Sequence, residues 1–160
     1  MLAGMMARYV STTALILLCL LVNPSKELAA RQASLATQAI QGRNNDAAKQ
    51  VLSAVSDAFA AADTKTLRQY LNSKVFLTLF TGESGYFSSE QSFFILRNFL
   101  SAHVPFSFGF TNTNIGTESA YGVGTLRYMK RGHRAAAQVF VSLTLSDQGW
   151  RINQVTIAQR

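Results

Sequence analysis

The sequence is poor in the side chains that carry most enzymatic chemistry. In 160 residues it has one cysteine, two histidines and two prolines, and charged residues make up only 14%. A single cysteine excludes an internal disulfide framework. Neither His103 nor His133 has a Cys, Asp or Glu at metal-ligand spacing, so there is no zinc signature and no metal site is expected. There is no G-x-S-x-G nucleophile elbow and no phosphate-cradling glycine loop; the GVG at 122–124 falls in a predicted strand and opens no helix. Nothing implies a cofactor. Of the carboxylates, Glu27 belongs to the N-terminal segment, and Asp46, Asp63, Glu83, Glu118 and Asp147 fall at predicted caps or turns. Glu90 lies in the first turn of a predicted helix, where it complements the dipole, and Asp57 on the polar side of another. No acid falls inside a predicted strand, where a general base facing a cavity would sit.

What the chain does have is apolar residues, at 48%, and a formal charge of +7. That length and composition predict one packed domain rather than disorder. Arg8, the apolar run ALILLCLLV at 14–22 and the small residues Leu28-Ala29-Ala30 follow the order of a secretory signal peptide over residues 1–30, with Ala36 as a second cleavage point. The run is short of the about 20 residues that span a bilayer, so the mature form is expected to have no transmembrane span. An uncleaved anchor is the alternative. Cys19 lies within the run and is preceded by Leu18 rather than a small residue, so it reads as part of the signal, with lipidation as the alternative. Removal of Arg8, Lys26 and Glu27 leaves +6, which in an exported protein, periplasmic or extracellular and in one alternative envelope-associated, predicts adhesion to anionic surfaces.

Residues 31–43 are Ala/Gln-rich and weakly patterned, which predicts a flexible leader before a domain over 44–160. Asn44-Asn45-Asp46 offers an N-cap, and Val51, Leu52, Val55, Ala58, Phe59 and Ala62 then trace one helical face. Asp63-Thr64 breaks this helix and caps a shorter one through Leu67, Tyr70 and Leu71, ended by Asn72-Ser73. VFLTLF at 75–80 predicts a buried strand, and Thr81 to Gly85 a turn. Ser88 with Gln91 matches a capping box that opens a helix ending near Ser101. On that helix Phe93, Ile95, Leu96, Phe99 and Leu100 share an arc of roughly 160°, while Phe94 falls among polar neighbours, either an isolated exposed ring or a contact for a second subunit. Four strands follow, the last three at hairpin spacing and hence antiparallel. Phe106, Phe108 and Phe110 alternate onto one face. Gly122 and Gly124 share a face, as a bend in the sheet, as room for an opposing aromatic, or as a floor cleared for a ligand.

The order α-α-β-α-β-β-β-β predicts an α+β fold with helices packed on a curved antiparallel sheet. It resembles the nuclear transport factor 2-like (cystatin-like, SnoaL-like) cone. The segments LRQYLNSKVFLTL at 67–79, GYFSSEQSFFILRNFL at 85–100, AYGVGTLRY at 120–128 and WRINQVTI at 150–157 are, in that order, similar to the exported bacterial family called domain of unknown function 4783. That resemblance implies a fold and an address but no catalytic residues.

The expected function is therefore a non-catalytic exported domain. It would bind a small apolar or amphipathic ligand, or a protein partner, in a concave sheet pocket lined by Phe106, Phe108, Phe110, Tyr121 and Arg127. The alternatives are a cone-fold enzyme of the isomerase or cyclase kind and an envelope-associated structural protein that forms a homodimer through its open sheet face. His103 is expected as a solvated or capping residue. The MKRGHR turn puts Lys130, Arg131 and Arg134 at one hairpin tip, a solvated turn or a contact for an anionic surface. Nucleic acid is not expected, because only Tyr128 accompanies these charges and stacking needs several interleaved aromatics.

Overall fold

The computed structural model describes residues 24–160, so the apolar run, Arg8 and Cys19 lie outside the described residues. The elements are α1 (Pro24–Ala60), α2 (Thr64–Tyr70), β1 (Leu71–Leu79), β2 (Ser84–Ser88), α3 (Ser89–Ala102), β3 (Val104–Ile115), β4 (Ser119–Lys130), β5 (His133–Ser146) and β6 (Gly149–Gln159). The chain divides into two units, Met1–Ile40 and Gln41–Arg160. In the first, the described residues are helical, with Leu28, Leu35 and Ile40 exposed. The second holds the α+β domain. Among the described residues no helix is long and apolar enough to cross a membrane.

Three features differ from expectation. The first helix does not begin at Asn44-Asn45-Asp46; it starts at Pro24 and takes in residues 31–43, read from sequence as a leader. Asn, Asp and Gly lower helix propensity without forbidding it. Asp46 therefore sits mid-helix and pairs with Lys49 at 3.2 Å. Asn44 contributes through its backbone, its carbonyl accepting from Trp150 Nε1 at 2.9 Å. The second difference is a sixth strand. Ser84–Ser88, a turn and helix entry by sequence pattern, forms a hairpin with β1, in which Phe76 pairs with Tyr86. Its five residues are too few for a legible alternation, and β1 starts earlier than expected, at Leu71.

Other signals hold. Asp63 caps α2 by accepting from the backbone N–H groups of Lys65 and Thr66. Ser88 and Gln91 form the reciprocal capping box of α3. Leu96, Phe99 and Leu100 on α3 are buried, and Glu90 on its exposed side pairs with Arg68 at 2.6 Å. Phe94 is 41% exposed, with the Arg97 guanidinium 4.7 Å above its ring.

The sheet order is β2-β1-β6-β5-β4-β3, antiparallel except where β1 runs parallel to β6. Its two faces separate cleanly, because side chains alternate along a strand. Val75, Leu77 and Leu79 of β1, Leu126 and Tyr128 of β4, Val139, Val141 and Leu143 of β5, and Ile152, Val155 and Ile157 of β6 form the inner face. They bury themselves with Leu52, Val55 and Phe59 of α1 and with α3. These residues form one continuous core.

The inner face closes at β3 through an aromatic–glycine interlock. Phe108 and Phe110 pair across the ladder with Leu126 and Gly124. A Cβ on Gly122 would lie 2.6 Å from the Phe110 ring, and one on Gly124 would lie 2.5 Å from the Gly109 carbonyl oxygen and 2.9 Å from Phe108. Of the readings open from sequence, room for an opposing aromatic is the one realised. Phe108 in turn meets Phe59 of α1 at 5.2 Å and Phe110 at 5.1 Å between ring centroids. Gly124→Ala is expected to cost at least about 2 kcal/mol, because the obstruction is backbone, whereas Gly122→Ala is expected to cost about 1 kcal/mol, because the half-buried Phe110 ring can turn aside. Urea unfolding of the two variants checks the order.

Candidate functional site

The five residues predicted to line one pocket are not brought together. Phe108 and Phe110 face inward and are packed against the core. Phe106 faces outward and is 49% exposed. The cause is a register shift between Pro105 and Ser107. Proline has no N–H to give the ladder, and the extra residue of a bulge reverses the alternation. The alternation that placed Phe106 with the other two rings is therefore broken one residue after Pro105. Tyr121 and Arg127 are also on the outer face, and their six-residue separation on β4 amounts to about 20 Å. Tyr121, 38% exposed, stacks on Phe140 of β5 at 5.8 Å.

The concave side is occupied by the domain's own side chains. Its polar content is small: Ser92 and His103 are the buried polar groups of α3 and its cap. His103 was expected as a solvated or capping residue; it caps α3 but is only 2% exposed. Its ring stacks on Phe99 at 4.4 Å and meets Phe80 and Tyr128 edge-on at 5.2 and 5.1 Å. Nδ1 lies 2.9 Å from the Phe99 carbonyl oxygen, which can only accept, so the hydrogen is on Nδ1. Nε2 is buried without a partner. Burial also pushes the Tyr128 phenol above its ordinary value. Among the described residues no group of three metal-ligating side chains occurs, and no strand contains Asp or Glu.

Shallow grooves lie at the surface of the second unit. One of about 420 Å³ runs between α1 and β3, lined by Lys49, Leu52, Ser53, Ser56, Phe110 and Ile115 among others. One of about 350 Å³ lies on the outer face, lined by Lys74, Phe76, Tyr86, Asn153 and Gln154, with the Lys74 ammonium 5.0 Å over the Tyr86 ring. One of about 440 Å³ lies at the other side of that face, lined by Phe106, Arg127, Arg134, Ala135 and Ala136. The three cations expected at one tip separate. Lys130 turns to the inner side, 6.0 Å from the Phe80 ring, Arg134 lies outward, 5.7 Å from Phe106, and Arg131 occupies the turn at φ 50°. The Arg134–Phe106 contact joins residues far apart in the chain and has no signature in the sequence.

With α2, α3 and the part of α1 from Gln41 onward packed on one face of a six-stranded sheet, the second unit has a nuclear transport factor 2-like fold. A protein of that fold from Cytophaga hutchinsonii aligns with a TM-score of 0.55 at 12% identity, over 72% of this chain and 97% of its own. The chain belongs to the family described as domain of unknown function DUF4783, whose model matches residues 52–158. It is similar to a DUF4783 protein from Bacteroides uniformis, with a TM-score of 0.62 and 21% identity over 68% of this chain and 95% of that one. A second, from Bacteroides ovatus, aligns at 0.57 and 20% over 67% and 93%. A search of curated proteins finds no match. These likenesses establish the fold.

The His103 environment yields a stability prediction. His103→Phe keeps a ring between Phe80, Phe99 and Tyr128 and removes the unpaired nitrogen, so stability should hold or rise. His103→Ala leaves a cavity and should lose about 3 kcal/mol, read by chemical unfolding.

Proposed function

We propose that this domain is a non-catalytic binding module of an exported protein and that it engages its partner on the helix-free outer face of the sheet. One observation carries the reading: Phe59, Phe108 and Phe110 fill the concave side, while Tyr121, Tyr86 and Phe106 remain exposed on the other. A binding surface needs exposed aromatic anchors, and these lie outside the cone. Against an enzyme stands the placement of the candidate base. His103 is walled by three rings, and a general base must come within hydrogen-bond reach of its substrate.

A second reading is favoured by the groove between α1 and β3. Leu52, Phe110 and Ile115 give it an apolar floor, with Lys49, Ser53 and Ser56 at its rim, which suits a small amphipathic ligand.

Native mass spectrometry of protein purified from its own cells distinguishes the two. A bound partner or second copy that is lost on Tyr121→Ser and Tyr86→Ser supports the outer-face module. A bound small molecule lost only on Phe110→Ala supports the groove and overturns the module. A turnover abolished by His103→Phe, in protein that keeps its fold, would overturn both.

A further inference from the structure

We propose that the end of the outer sheet face carrying Phe106, Arg127 and Arg134 docks on a membrane surface of anionic phospholipid. The two guanidiniums would take headgroup phosphates, and Val104 with Phe106 would enter the boundary between headgroups and acyl chains. The proposal rests on the outer-face reading and names its partner.

Three strands build the patch. Val104 of β3, Met129 of β4 and Arg134 of β5 form one row across the ladder. Arg127 and Ala136 form the next, beside the bulge that turns Phe106 outward. Arg127 and Arg134 are thus diagonal neighbours on one face, within reach of each other for long side chains. Neither pairs with a carboxylate among the described residues. Arg131 lies at the adjoining turn, and the Arg160 backbone N–H donates to the Ala136 carbonyl, which holds the backbone of a further arginine at the same end. No strand supplies an acid. Glu118 and Asp147 sit at turns at the opposite end of the strands, and Glu83 lies in the β1–β2 turn, across β6 and β1. Like charges at neighbouring positions repel, and an anion between them relieves that repulsion.

The apolar part points to a lipid rather than a free anion. Val104 is 56% exposed and Phe106 49% exposed, both on an edge strand, where exposed apolar residues invite unwanted pairing. A dissolved phosphate would leave both in water. A bilayer interface covers them while it supplies phosphates, and apolar burial combined with basic charge is what peripheral binding uses. The alanine floor of the groove leaves room for a headgroup between the guanidiniums, whose planar fork matches phosphate oxygens. A second copy fits poorly, because a two-fold contact centred here would set this basic patch against itself. Nucleic acid fits poorly too, since Phe106 is the single aromatic lining the groove and Arg134 covers its ring.

The test is co-sedimentation of the protein purified from its own cells with vesicles of phosphatidylcholine alone or with one third phosphatidylglycerol. Phosphatidylglycerol should raise binding, and added salt should reverse the gain. Arg127→Gln and Arg134→Gln should each weaken it about fivefold, and together roughly 25-fold. Phe106→Ser should weaken it with the salt dependence unchanged. Arg97→Gln, on α3, should leave it unaltered. Equal binding to both vesicle types, or a double variant that binds as well as the parent, would overturn the proposal. So would tight binding of soluble glycerol phosphate without vesicle binding, which would assign the groove to a free anion. If vesicles fail while the native partner is still lost on Tyr121→Ser, the lipid is refuted and the outer-face module stands.

Discussion

Two phenyl rings of β3 lie where β4 has no side chains, and the rest of the structure depends on that fit. Phe108 and Phe110 can sit inside the cone because Gly124 and Gly122 leave the space beside them. Phe59 of α1 then closes over Phe108. The space between β3, β4 and α1 is thus taken up by the domain's own rings, with Phe108 and Phe110 partly buried against the core. Phe80, Phe99, His103 and Tyr128 form a second aromatic group, at the C-terminal end of α3, and seal the domain there.

Filling the interior shifts the chemistry outward. Both faces of the sheet are built from the same strands, so one decides what the other presents. The inner positions take the aliphatic residues, and the outer positions are left with Tyr121, Phe140, Thr125, Gln138 and the arginines. The bulge after Pro105 matters for the same reason. It moves one aromatic from the packed side to the exposed side and sets it beside Arg134. His103 illustrates the opposite case, a residue of catalytic type held by its cap and its ring contacts in a buried position. Its unpaired Nε2 opposes folding, and the stacked ring offsets that cost.

The sequence by itself determined the α+β class, the caps at Asp63 and Ser88 but not the one expected at Asn44-Asn45-Asp46, the buried face of α3 and the lack of acids in the strands. These are local properties: capping geometry needs residues three apart, and an amphipathic face needs only one helix. The start of α1 and the strand β2 were not legible, because weak propensity was decided there by the surrounding structure and a five-residue strand carries too little pattern. Nor could the alternation of Phe106, Phe108 and Phe110 show its own interruption. Only the tertiary structure decided which side of the sheet each aromatic occupies, that Gly122 and Gly124 serve two rings, and that Arg127, Arg134 and Phe106 meet. The physical reason is that a one-residue bulge reverses side-chain direction, and the contacts that fix it come from strands brought together only by pairing.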